Sequence, residues 1–101
     1  MAEFLVELYL SRSDEAAVQR DAERARLAAE QVNGEGMPVR YVRSIFVPDD
    51  ETCFLLYEAG SAEAVREAAT RAALPFERVS ETVADSHAHS PKEATCTSFD
   101  V

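Results

Sequence analysis

Apolar residues in this chain change their spacing from every second position to every third and fourth and back again, and they do so twice. Residues 3–10 put Phe4, Val6, Leu8 and Leu10 on one side and Leu5, Glu7 and Tyr9 on the other, the alternation of a strand. From Asp14 the apolar positions become Val18, Ala22, Ala25, Ala29 and Val32, a stripe along one side of a helix. Ser13 stands where it can cap the start and Asn33-Gly34 where they can stop the end, so the spacing predicts a helix over 14–32. Val39 to Val47 and Cys53 to Glu58 are rich in β-branched and aromatic residues; with Pro48-Asp49-Asp50-Glu51 between them they predict a hairpin. Ser61 caps a second helix in which Val65, Ala68, Ala69 and Ala72 share a side, and Glu67 and Arg71 are spaced for a surface ion pair. Leu74-Pro75 ends it. Phe76 to Val83 predicts a last strand, and because charged Glu77 and Glu81 share parity with Val79 and Val83, an edge strand.

The order β-α-β-β-α-β is that of a ferredoxin-like α+β domain, a four-stranded antiparallel sheet with two helices on one face. Seventeen alanines suit it, since Ala-lined helices can lie close to a sheet. The domain is expected to span residues 1–84. Residues 85–101 lack sustained periodicity and are polar, the pattern of a flexible tail.

This topology leaves one sheet face without helices. If Phe4, Val6, Leu8 and Leu10 face the helices, parity places Val42, Phe46, Phe54 and Leu56 with them, and Leu5, Glu7, Tyr9, Tyr41, Arg43, Ile45, Cys53, Leu55 and Tyr57 opposite. Such a face is too apolar to leave in water. The economical cover is a second copy, face to face in a two-fold homodimer of the dimeric α/β-barrel type. Glu7, Tyr9, Tyr41, Arg43 and Tyr57 would then line the dimer face or a small ligand cleft within it.

Composition narrows the function. With 19 acidic and 10 basic side chains the net charge is −9, which repels nucleic-acid backbones and anionic membrane surfaces. No apolar run reaches the roughly 20 residues of a membrane span, and the start carries no basic leader or cleavage site, so a cytoplasmic protein is expected. Residues 1–84 hold no histidine, which leaves no Ser-His or Cys-His pair for nucleophilic catalysis inside the domain. The three glycines form no phosphate loop, so no nucleotide cofactor is expected. Cys53 and Cys96 show no zinc or disulfide spacing, and Cys53 reads as a small interior hydrophobe. The chain therefore reads more readily as a binding protein than as an enzyme. His87 and His89 offer nitrogen donors of the kind nickel, copper and zinc accept, with Glu7 and Cys53 as further candidate ligands.

An ordered set of short motifs carries a family resemblance. Val-Arg-Tyr-Val-Arg-Ser-Ile-Phe from Val39, Asp49-Asp50-Glu51, Thr-Cys-Phe-Leu-Leu-Tyr-Glu-Ala from Thr52, Ala62 to Arg66, and Leu-Pro-Phe-Glu-Arg-Val from Leu74 follow Phe4-Leu5-Val6-Glu7 in the order found there. Over residues 2–84 the chain resembles the small bacterial nickel-binding proteins of ferredoxin-like fold, a family largely of unknown function. Tyr41, Ser44, Tyr57, Glu58, Ala59, Leu74, Pro75, Arg78 and Val79 match its pattern. The resemblance implies a homodimer and, in the characterised branch, surface-bound nickel with a role in sequestration or detoxification. Members often carry tryptophan in place of Tyr41, histidine in place of Arg43 and cysteine near Leu55. An arginine cannot ligate a divalent ion, so any metal here falls to carboxylates such as Glu7, to Cys53, or to His87 and His89. The alternative reading is a small organic ligand, bound or converted in the cleft between two facing sheets.

Overall fold

The computed structural model describes residues 1–83. Seven elements follow in order: β1 (Ala2–Tyr9), α1 (Ala16–Gly34), β2 (Val39–Val47), a 3-10 turn (Pro48–Asp50), β3 (Thr52–Ala59), α2 (Ala62–Arg71) and β4 (Phe76–Thr82). The strands form one antiparallel sheet in the order β2-β3-β1-β4. This is the expected ferredoxin-like arrangement, with β4 at one edge. Among the described residues no helix is long and apolar enough to cross a membrane.

Both helices pack on the same face of the sheet. The core joins Phe4, Val6 and Leu8 of β1 to Ala25, Ala28, Ala29 and Val32 of α1 and to Ala64, Val65, Ala68 and Ala69 of α2, all buried. The small helix side chains let branched strand residues fill the space between the layers. The buried stripe of α1 is rotated from the one expected: Ala17 and Asp21 are inside, while Val18 and Ala22 are half-buried.

The helix ends correct two expectations. Helix α1 begins at Ala16 after Glu15, with no side-chain cap, so Ser13 does not serve as one; its hydroxyl instead bonds Ser11. The helix does stop at Gly34, with Glu35 as its C-cap, but the left-handed residue is Gly36 (φ 102°) and not Gly34, with the Met37 N–H donating to the Val32 carbonyl and the Gly36 N–H to that of Asn33. Only a residue without Cβ takes that angle at no cost. For α2 both expectations hold: Ser61 Oγ accepts from the Ala64 N–H at 3.2 Å, and Arg71 donates to Glu67 at 2.7 Å.

Helix α2 closes on the same paired bonds, Leu74 N–H to Ala69 O and Ala73 N–H to Thr70 O, but the left-handed position is an alanine, Ala73 at φ 60°. An L-residue with a Cβ is strained there by about 1 kcal/mol. Ala73→Gly is therefore expected to stabilise the fold by about 1 kcal/mol, read as a higher midpoint in urea unfolding at unchanged slope.

Candidate functional site

The face of the sheet away from the helices has no covering element among the described residues, and register decides what it displays. Strand β1 meets β3 with Val6 opposite Leu55, Phe4 opposite Tyr57 and Leu8 opposite Cys53. Opposed residues in an antiparallel pair point to the same side, so Cys53, Leu55 and Tyr57 face the helices and are fully buried. Phe54 and Leu56 lie on the open face. The expected parity of β3 is thus reversed: Cys53, Leu55 and Tyr57 are interior residues, and Phe54 and Leu56 belong with Leu5 and Glu7.

Strand β2 changes phase along its length. Tyr41 opposes Tyr57 and faces inward, but the register then shifts so that Arg43 opposes Leu56 and Phe46 opposes Cys53. Val42 is the extra residue of a β-bulge. Tyr41 therefore joins the helix side, contrary to expectation, and Val42 leaves the interior expected for it; Arg43 and Ile45 remain on the open face and Phe46 inside, as expected.

The open face carries an apolar centre of Leu5, Phe54, Leu56 and Ile45, with Val47 and Tyr9 toward the hairpin end. Ile45 and Tyr9 are 40% and 57% exposed. Around the centre stand charged groups. Glu7 accepts from Arg78 at 3.2 Å across β1 and β4, and Glu58 accepts from Arg40 at 2.6 Å across β3 and β2. Glu3 and Arg43 complete the set, and neither makes an ion pair within 4.0 Å among the described residues. Of the five residues expected to line a cleft, Glu7, Tyr9 and Arg43 share this face, whereas Tyr41 and Tyr57 lie on the other side of the sheet.

The helix side holds a small buried polar cluster that the pattern did not reveal. Tyr41 and Tyr57 pack edge to face with ring centres 5.8 Å apart. The Tyr41 hydroxyl bonds Ser44 Oγ at 2.6 Å, while the Tyr57 hydroxyl is buried without a partner among the described residues. Burial pushes the proton affinity of both phenols up, and that of the Cys53 thiol as well, to which the nearby Asp21 carboxylate adds. Asp21 itself is buried on α1, with Arg24 at 3.5 Å and Arg20 at 3.9 Å. Its position four residues from both Ala17 and Ala25 was the available signal, masked by the habit of reading a charged residue as exposed. A half-open groove of about 410 Å³ lies between the second half of α1 and the start of β2, lined in part by Ala29, Asn33, Val39 and Tyr41.

The two candidate metal ligands within the described residues, Glu7 and Cys53, are not brought together. Glu7 lies on the open face and Cys53 beneath the sheet among core residues, so the sheet separates them. His87 and His89 lie outside the described residues, as does the rest of the expected tail. Among the described residues no group of three or more His, Cys, Asp or Glu side chains is placed to hold a metal ion.

Comparison with known proteins bears on the family and the fold. A family model described as nickel responsive protein SCO4226-like matches residues 11–82, which takes in every element after β1. The chain belongs to this family. The crystal structure of SCO4226 from Streptomyces coelicolor A3(2) superposes with a TM-score of 0.68 at 20% identity, covering 80% of this chain and 95% of that one. At that identity the likeness speaks for the fold. No curated protein matches. The family's description names nickel responsiveness, in line with the resemblance read from the motifs, and the crystal structure shares the ferredoxin-like sheet.

Proposed function

We propose that this protein is a non-catalytic, cytoplasmic binding protein that works as a homodimer and sequesters nickel or a similar divalent ion. The observation that carries the reading is the match of the nickel responsive family model over residues 11–82. Two features support it. The net charge of −9 draws cations to the surface. The open sheet face, with Leu5, Phe54, Leu56 and Ile45 at its centre, is the kind of apolar surface that a second copy covers.

The ligands assigned to the ion are the imidazoles of His87 and His89, with carboxylates of the acidic surface completing its shell. Imidazole and carboxylate together suit a borderline divalent ion. Cys53 takes no part in this assignment, because its sulfur is enclosed by the core.

Calorimetric titration of the full chain with nickel chloride tests the proposal. Saturable binding is expected, weakened at least about tenfold when His87 and His89 are both replaced by alanine, since even groups one shell out from a metal change affinity by about 10- to 100-fold. Absence of heat with tens of micromolar nickel, or identical isotherms for the two proteins, overturns it.

A further inference from the structure

The open face is electrically unlike the rest of the molecule. The charged residues in register on it are Arg40, Arg43 and Arg78 against Glu3, Glu7 and Glu58, three of each sign; with Glu77, the exposed extra residue of a bulge in the edge strand β4, the face is near neutral in a chain of net charge −9. Copies of so acidic a protein repel one another in most orientations. At this face that repulsion is weakest, and it is also where the apolar centre lies. Both properties fit a second copy as its occupant, whereas a basic partner would call for a surplus of carboxylates.

The balance is also unevenly distributed. Glu7 with Arg78 and Glu58 with Arg40 are satisfied within one protomer. Arg43 and Glu3 are left over, and the sheet order keeps them apart: Arg43 is on β2 and Glu3 on β1, with β3 between. Two strand spacings are about 10 Å, and the residues stand one register row apart as well, Arg43 opposite Leu56 and Glu3 opposite Glu58. Covering the face would bury both groups, a cost of several kcal/mol for any charge left without a counter-ion.

A two-fold axis removes the cost. In an isologous interface each contact occurs twice, residue i of one copy against residue j of the other and the reverse. We infer that Arg43 of each protomer pairs with the partner's Glu3, and that these two reciprocal ion pairs fix how the sheets align over the apolar centre. The inference rests on the homodimer proposed above and goes beyond it, to the groups that select the partner and its orientation.

A charge-swap experiment on the full chain decides the matter, with mass by sedimentation equilibrium across a concentration series and folding checked by circular dichroism. Wild type is expected to be dimeric. Arg43→Glu and Glu3→Arg, each placing like charges opposite one another, are expected to raise the dimer dissociation constant at least about tenfold. The double variant, Arg43→Glu with Glu3→Arg, restores the pairs in reverse and is expected to return to within about threefold of wild type. A dimeric wild type whose single variants dimerise unchanged, or whose double variant shows no recovery, overturns the pairing while the homodimer stands. A wild type that is monomeric throughout overturns both. Misfolding of a single variant is met by Arg43→Gln and Glu3→Gln, which remove one charge without creating repulsion and are expected to weaken the dimer more mildly; if they leave it unchanged, the pairing is overturned.

Discussion

Replacing Leu55 by alanine is expected to cost about 2–5 kcal/mol of folding stability, and the same change one residue on, at Leu56, less than half of that. The two leucines are chemically identical and adjacent in β3, so the contrast isolates the direction in which each points. Leu55 is wholly enclosed, opposite Val6 and beneath the helices. Its truncation removes three heavy atoms from a close-packed layer and leaves a cavity that the surrounding Ala-rich helices are too short in side chain to fill. Leu56 is half-buried on the open face, where in a separated protomer water takes the vacated volume. Urea unfolding of both variants, at a protein concentration low enough to keep protomers apart, checks the difference. Equal losses, or a larger loss at Leu56, would mean that the strand faces the other way.

Tyr57→Phe is expected to stabilise the protein by about 1–3 kcal/mol, a gain from deleting a polar group. The Tyr57 hydroxyl is buried with no hydrogen-bond partner among the described residues, so the folded state carries its full desolvation. Phenylalanine keeps the ring and its edge-to-face contact with Tyr41 while removing the burden. The same hydroxyl gives a pH signature. Burial raises its proton affinity well above the ordinary value of 10.0, so above that pH the folded protein keeps a proton that the unfolded chain releases. Stability then falls as pH rises, because the native state binds more protons than the unfolded one. The contribution is intact below pH 10.0 and is lost going upward. Tyr57→Phe is expected to flatten this alkaline decline without abolishing it, since Tyr41 and Cys53 are shifted in the same direction. Stability curves between neutral pH and the alkaline limit, with and without the hydroxyl, make the comparison. An unchanged slope would place that hydroxyl in contact with water.

Much of the fold was legible because each element announces itself locally. The boundaries of β2 at Val39 and Val47 follow from Pro38 and Pro48 and the β-branched run between them. Ser61 and Leu74-Pro75 frame α2 equally well. Facing was harder. Strand β3 reads Cys-Phe-Leu-Leu-Tyr, apolar on both parities, so alternation alone cannot choose its inner side. Glu58, which shares parity with Phe54 and Leu56, held the answer: the side that carries a charge is the side toward water.

In β2 the clue was a contradiction. Arg40 and Arg43 have opposite parity, and both can lie on the open face only if the strand carries an extra residue between them, which is what Val42 supplies. The candidate site was less legible than the fold for the same reason, since moving Tyr41 and Tyr57 across the sheet turns two expected cleft residues into core. Glu3, which the alternation read as only the first residue of a strand, gains its interest from the sheet order, and nothing local signals it.

The bulge at Val42 has one more effect. Strand β2 is nine residues long, rich in branched and aromatic side chains, and forms the edge of its sheet. A flat edge of that composition is a template on which further chains can add without limit, as in amyloid growth. The kink interrupts the row of free amides and carbonyls and turns the strand out of plane. Open-ended stacking is thereby discouraged, and self-recognition is steered toward a contact that closes on itself.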